Sequence, residues 1–267
     1  MDHSDYEALD AGGVAEALGE LAGVFSLEIL PECDSTNSRL LDKPPPDDGR
    51  VHVLAAGRQT AGRGRRGRVW QSWPGAGLTF SVLWRFAPAA HVPAGLSLVV
   101  GLAVARTLEE LGVEGVALKW PNDVLIQGKK LAGILVELSS GRERGLAAVI
   151  GIGINLRMPA DAAVDSPTGV TDLASCLASP PSPSRLLGLV LAQLQRSLEI
   201  YAAAGFAALR GAWQQRNAFA DLPVRILGEA HELTGICVGV DDDGALLLQT
   251  AEGLRRVLSG DVSLRLA

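Results

Sequence analysis

Histidine, cysteine, lysine and the aromatics are all scarce in this 267-residue chain, and each scarcity narrows the chemistry. The four histidines (His3, His52, His91, His231) never approach the H-x-x-x-H spacing of a metal site. The three cysteines, Cys33, Cys176 and Cys237, lie far apart with no C-x-x-C. They support neither a disulfide framework nor a zinc site, and they suit a reducing compartment such as the cytoplasm. Aromatic residues at 4% leave few flat faces for the stacking platforms that bind single-stranded nucleic acid. The longest apolar run, Leu96 to Ala105, stops at Arg106, far short of the ~20 residues needed to cross a bilayer. The acidic opening, Met-Asp-His-Ser-Asp-Tyr-Glu, is the opposite of a signal peptide's basic and then apolar start. A soluble protein without membrane partners is expected.

Hydrophobic residues at 48% and charged residues at 20% supply ample material for a buried core. Periodicity gives a short helix around Val14 to Leu21 and little else in the first thirty residues. Strands are expected at Val51 to Ala56, Leu78 to Trp84, Val116 to Lys119, Val124 to Ile126, Lys130 to Leu138 and Leu146 to Ile154. Pro93 to Gly112 reads as a helix with Gly112 as its C-terminal cap. Residues 159–184 are rich in Pro, Ser and Ala and read as a long irregular connection. A clear helix follows, with Ser184 as its N-cap and Leu187, Val190, Leu191, Leu194, Leu198 and Tyr201 on one stripe. After Pro223 come five short strands, Val224 to Leu227, Glu232 to Val240, Ala245 to Thr250, Leu254 to Leu258 and Val262 to Leu266. The pattern divides the chain into a short N-terminal segment (1–30), an α+β domain with a mixed sheet and flanking helices (31–219), and a small barrel-like β domain (220–267).

Charge is unevenly spread. The net charge of −6 argues against a protein that coats nucleic acid. Yet no carboxylate lies between Asp48 and Glu109, where eight arginines give a local +8. Five of them fall between Arg58 and Arg68, a concentration that suits one anionic ligand such as a nucleotide. A solvated basic loop is the plainer alternative. Of 24 basic residues only four are lysines, and Lys119, Lys129 and Lys130 share one short segment, which suits a site needing a compact ammonium.

Gly62-Arg63-Gly64-Arg65-Arg66-Gly67 matches G-x-G-x-x-G in letters, but its context is strand, loop, strand. A dinucleotide fingerprint must run into a helix, so that reading is rejected. Three glycines and four arginines within 62–68 describe instead a loop that folds over an anion.

Five blocks stand in order: Asp34-Ser35-Thr36-Asn37; Gln59 with the arginine loop; Lys119-Trp120-Pro121-Asn122-Asp123; Lys129-Lys130-Leu131-Ala132-Gly133-Ile134-Leu135-Val136-Glu137; and Gly151-Ile152-Gly153-Ile154-Asn155. Together they resemble the biotin protein ligases, which biotinylate biotin-dependent carboxylases. The C-terminal strands, ending Ser259-Gly260-Asp261-Val262-Ser263-Leu264-Arg265, are similar to that family's SH3-like domain. The resemblance implies ATP-dependent activation of biotin to biotinyl-5'-AMP, with magnesium as the nucleotide's counterion. Transfer to one lysine of a biotin carboxyl carrier protein follows. It places the ureido ring among Ser35, Thr36, Asn37, Gln59, Arg63 and Gly64, with Trp70 over the apolar tail. Lys130 would lie between biotin's carboxylate and the α-phosphate, and Arg65 would close over the adenylate. Arg68, Lys119, Asn122 and Asn155 would face ATP. Asp123 would take the acceptor lysine's proton; the same position also suits a turn residue or a magnesium contact. Without the resemblance, Asp-Ser-Thr-Asn is a helix N-cap, Trp70 a core residue and Lys119 structural.

Some members of the family carry a DNA-binding winged helix, and the ~32 residues before Asp34 are too few for three helices and a wing. A ligase without repressor function is expected, for which a homodimer remains open. The competing readings are a lipoate ligase or octanoyl transferase, and a nucleic-acid-binding protein using the arginine loop.

Overall fold

The computed structural model describes residues 8–87, 94–141, 145–164, 166–227, 232–259 and 263–267. His3, His91 and His231, the N-terminal charge pattern, Pro93, and residues 260–262 lie outside the described residues.

Helix α1 (Ala11–Leu18) starts three residues before the expected Val14, because Asp10 caps it by accepting the Gly13 N–H at 2.8 Å. A 3-10 turn (Gly19–Val24) then leads into strand β1 (Phe25–Cys33). The sequence reading had nothing here. β1 is a half-buried edge strand without strict alternation, and its Pro31 is tolerated because an edge has spare backbone. Helix α2 (Thr36–Asp42), strand β2 (Val51–Gln59) and strand β3 (Gly77–Arg85) follow. Helix α3 (Leu96–Glu110) is buried along most of its length.

Strands β4 (Val116–Lys119), β5 (Asp123–Ile126), β6 (Lys129–Gly141) and β7 (Gly145–Asn155) complete a seven-stranded sheet of order β1-β2-β3-β7-β6-β5-β4. Only β1 and β2 are parallel. Helix α4 (Pro183–Ala204) is capped by Ser182, whose Oγ accepts the Arg185 N–H. The expected cap, Ser184, is instead buried inside the first turn and accepts the Asp10 N–H at 2.9 Å, tying α1 to α4. Helix α5 (Ala207–Gln214), which the sequence reading did not separate, buries Leu209 and Trp213.

The C-terminal strands β8 (Pro223–Leu227), β9 (Glu232–Val240), β10 (Leu246–Thr250), β11 (Gly253–Val257) and β12 (Ser263–Leu266) fall close to their expected positions. They form one antiparallel sheet of order β11-β10-β9-β8-β12, with no closed barrel among the described residues.

One core runs through both sheets. Phe80, Val82, Ile134, Ile150 and Ile152 of the large sheet share a continuous buried cluster with α3 and α4, and also with Val224, Ile226, Leu246 and Leu264. Each such fully buried Leu or Ile contributes about 1.5–3 kcal/mol relative to exposure. Because strand side chains alternate, this packing leaves the odd-numbered positions of β3 and β7 for the other face. No described helix is long and apolar enough to cross a membrane.

Candidate active site

Strand register builds the site as a transverse row. Thr79 pairs with Gly153, Gly153 with Gly133, Gly133 with Asp123, and Asp123 with Lys119. Paired residues share a face, so this row crosses β3, β7, β6, β5 and β4 on the side away from α3. A second row places Ser81 opposite Gly151 and Gly151 opposite Leu135. The Gly-x-Gly alternation of β7 therefore lays a floor of bare backbone. A Cβ on Gly153 would run into the Trp70 ring, and one on Gly151 into the Asn37 carboxamide. Every candidate named from the sequence lines one shared cavity above this floor.

At the β4–β5 end stand three charges. Asp123 Oδ1 meets Lys130 Nζ at 2.6 Å as an ion pair without an aligned hydrogen bond, and Oδ2 lies 3.6 Å from Lys119 Nζ. A bulge brings Lys130 there: Leu125 pairs with Lys130 but Val124 with Ala132, leaving Leu131 extra on β6. Lys129, one residue earlier, is exposed. Lys119 is 7% exposed, and its ammonium is held below its ordinary pKa. Burial is the main cause; Asp123 opposes it, and Lys130 and Arg68 reinforce it. The cluster is net positive. Asp123 is the one carboxylate lining the cavity among the described residues, and two ammonium groups already face it, so it is poorly suited to a magnesium contact. Among the described residues no group of three or more His, Cys, Asp or Glu could hold a metal.

At the β2–β3 end the polar groups are neutral. Ser35 caps α2, as the local reading predicted, with its Oγ accepting the Ser38 N–H at 3.4 Å. Thr36, Asn37, Gln59 and Ser81 are all buried and mutually bonded. From β3 to β5 is three strand spacings, about 14 Å.

The arginine loop is a tight hairpin. Trp70 N–H donates to the Gly62 carbonyl and Gly64 N–H to the Arg68 carbonyl, with Arg66 at φ 58 and Gly67 at φ 68 in the turn. Arg63 pairs with Glu137 and donates to Ser38 Oγ. Arg65 Nη1 donates to Asn122 Oδ1 at 3.2 Å, and its Nη2 reaches the Ser259 carbonyl at 3.0 Å. Arg66 reaches the Leu227 carbonyl of β8, so the loop contacts the C-terminal region twice, once on a strand and once at the segment that follows β11. Trp70 lies along the glycine floor, with Lys130 Nζ 5.9 Å from its ring centroid. Asn155 Nδ2 donates to the Thr171 carbonyl at 2.9 Å, so this candidate also pins the 169–171 segment beside the cavity.

Sequence reasoning missed Ser81 and gave Glu137 no role beyond its block. Thr79 and Ser81 break an otherwise apolar strand at alternate positions, a signal that one face of β3 lines something polar. Ser263 and Leu264 of β12 also line the cavity, which local patterning had no means of indicating.

A slot with neutral hydrogen-bonding groups at one end and ammonium and guanidinium groups at the other suits an acid with an uncharged polar head, meeting a phosphorylated second substrate. That is the class of carboxylate-activating ligases. Residues 31–155 match the Biotin/lipoate A/B protein ligase family, and residues 223–265 match the Biotin protein ligase C terminal domain. The chain is 37% identical to a biotin–acetyl-CoA-carboxylase ligase of Paracoccus denitrificans, over 88% of this chain and 98% of that one. It is 36% identical to the bifunctional ligase/repressor BirA of Escherichia coli, over 94% of this chain and 78% of that one. The biotin protein ligase of Aquifex aeolicus in complex with biotin and ATP superposes with a TM-score of 0.78 at 34% identity, covering 91% and 99% of the two chains. The chain belongs to the biotin protein ligase family.

Proposed function

We propose that this chain activates biotin with ATP and transfers it to a lysine of a biotin carboxyl carrier protein. In the first step a biotin carboxylate oxygen attacks the α-phosphorus, the bond to the bridging oxygen breaks, and pyrophosphate leaves. The product is a mixed anhydride, biotinyl-5'-AMP. The ureido ring sits among Ser35, Thr36, Asn37, Gln59 and the backbone of Arg63 and Gly64, whose donors and acceptors match a cyclic urea. Trp70 covers the tail over the glycine floor. Lys130 turns from Asp123 to the two reacting anions, which repel each other and need a cation between them. Arg65, Arg68, Lys119, Asn122 and Asn155 face the nucleotide, which enters as its magnesium complex.

In the second step the acceptor lysine's amine attacks the anhydride carbonyl and AMP leaves. An amine of pKa about 10.4 is mostly protonated at neutral pH and must first lose a proton. Asp123, freed from Lys130, receives it. Residues 31–219 supply this chemistry, and 220–267 close one side of the cavity through Ser263 and Leu264. A reducing compartment suits the three free thiols.

The observation that carries the reading is the row ending in Lys119, Asp123 and Lys130, about 14 Å from the neutral cluster. Incubation with biotin, MgATP and a carrier domain should release pyrophosphate and add one biotin to the carrier by mass spectrometry. Neither product, or exchange supported by lipoate and not by biotin, would overturn it.

A further inference from the structure

Ser81 lies at the centre of β3, fully buried, and makes two short contacts: 2.6 Å to Thr36 Oγ1 and 2.5 Å to Asn37 Oδ1. Counting protons decides their direction. Asn37 Nδ2 faces two acceptors, the Leu135 carbonyl at 3.3 Å and Glu137 Oε2 at 2.9 Å, so the other end of the carboxamide is its oxygen. That oxygen only accepts, and the single Ser81 proton must go to it. The Ser81–Thr36 contact therefore uses the Thr36 proton, donated to Ser81 Oγ. Thr36 Oγ1 also lies 3.2 Å from Gln59 Oε1, a second acceptor within reach, but its single proton goes to the much shorter Ser81 contact. Thr36 Oγ1 is left with lone pairs alone.

We infer that Ser81 is a positioning residue of the biotin site: it fixes Thr36 Oγ1 as a permanent acceptor for a ureido N–H. The chain of bonds runs Thr36 to Ser81 to Asn37 to Glu137, and Glu137 also holds Arg63 of the loop. Gly151, opposite Ser81, leaves the room in which the Asn37 carboxamide rests. Without Ser81 the Thr36 proton keeps only the long 3.2 Å contact to Gln59 Oε1, so the hydroxyl is free to turn that proton into the cavity, where it would meet the ureido N–H donor to donor. This inference rests on the proposed position of the ureido ring beside Thr36.

Initial-rate kinetics of biotin-dependent pyrophosphate release test it, using Ser81→Ala, the near-isosteric weak donor Ser81→Cys, Thr36→Val, and the Ser81→Ala/Thr36→Val double variant. Ser81→Ala should raise the KM for biotin about tenfold, the scale of one lost hydrogen-bond partner, with kcat and the KM for ATP within about twofold. Ser81→Cys, which keeps the volume, should raise the same constant in the same direction. In the Thr36→Val background, Ser81→Ala should add less than about twofold, because the hydroxyl it orients is gone. A full tenfold effect in that background, or equal rises in both KM values, would show that Ser81 merely fills space. Thr36→Val leaving the biotin KM unchanged would overturn the ring's placement and the inference together. Thr36 sensitivity with an additive Ser81 effect overturns the inference alone.

Discussion

Lys129 and Lys130 are chain neighbours that β6 separates: the bulge at Leu131 leaves one exposed and turns the other to Asp123. Lys130→Ala should slow adenylate formation by about a hundredfold or more, as loss of a charge-stabilising donor does, while Lys129→Ala stays within about twofold. Pyrophosphate release checks both, and equal effects would contradict the assignment. Lys119 carries a pH prediction. Its folded pKa lies below the unfolded value, so the unfolded chain holds more protons between the two values. Stability relative to Lys119→Met should therefore rise with pH from the lowered value up toward the ordinary lysine range. Urea titrations of both proteins between about pH 8 and about pH 10 read the sign, and a falling difference would be the wrong one. These lysines were legible in the sequence because the chain otherwise favours arginine. Ser81 was not, because a serine in an apolar strand has no local partner to reveal it. Its bonds reach back across more than forty residues to α2.

The arginine hairpin is the element on which retention of the adenylate depends. Arg65 at its tip bridges Asn122, in the turn just before Asp123, and the Ser259 carbonyl of the C-terminal part. Arg65→Gly should still form adenylate, at a reduced rate, because Lys130 remains. The anhydride should then leave sooner and label bystander proteins, as an incompletely closed site admits water and foreign amines. Labelling confined to the carrier, with adenylate held as long as in the unsubstituted protein, would remove Arg65 from this role. Other elements were legible to differing degrees. The C-terminal strands alternate and are bounded by turn residues, so they were read nearly residue for residue. β1 has neither signal and is defined by pairing with β2, a contact absent from local sequence. The cap of α4 shifted by two residues because Pro183 fits the first turn while Ser184 finds a partner in α1.

Across the whole molecule, a continuous core and a buried bond join the two sheets: Trp120 Nε1–H donates to the Gly244 carbonyl at 3.0 Å. Calorimetry should show one unfolding transition, and Trp120→Phe should cost about 1 kcal/mol for the hydrogen bond alone. Two separated transitions would mean that the sheets fold independently. The floor of Gly133, Gly151 and Gly153 has a consequence on the timescale of descent. Glycine is the smallest residue, so every coding change at these positions adds atoms to the cavity. The site's depth can drift in one direction only, toward smaller ligands. A lineage or a laboratory seeking a bulkier acid must therefore remodel the walls, at Trp70 or the hairpin, since the floor has nothing left to give up.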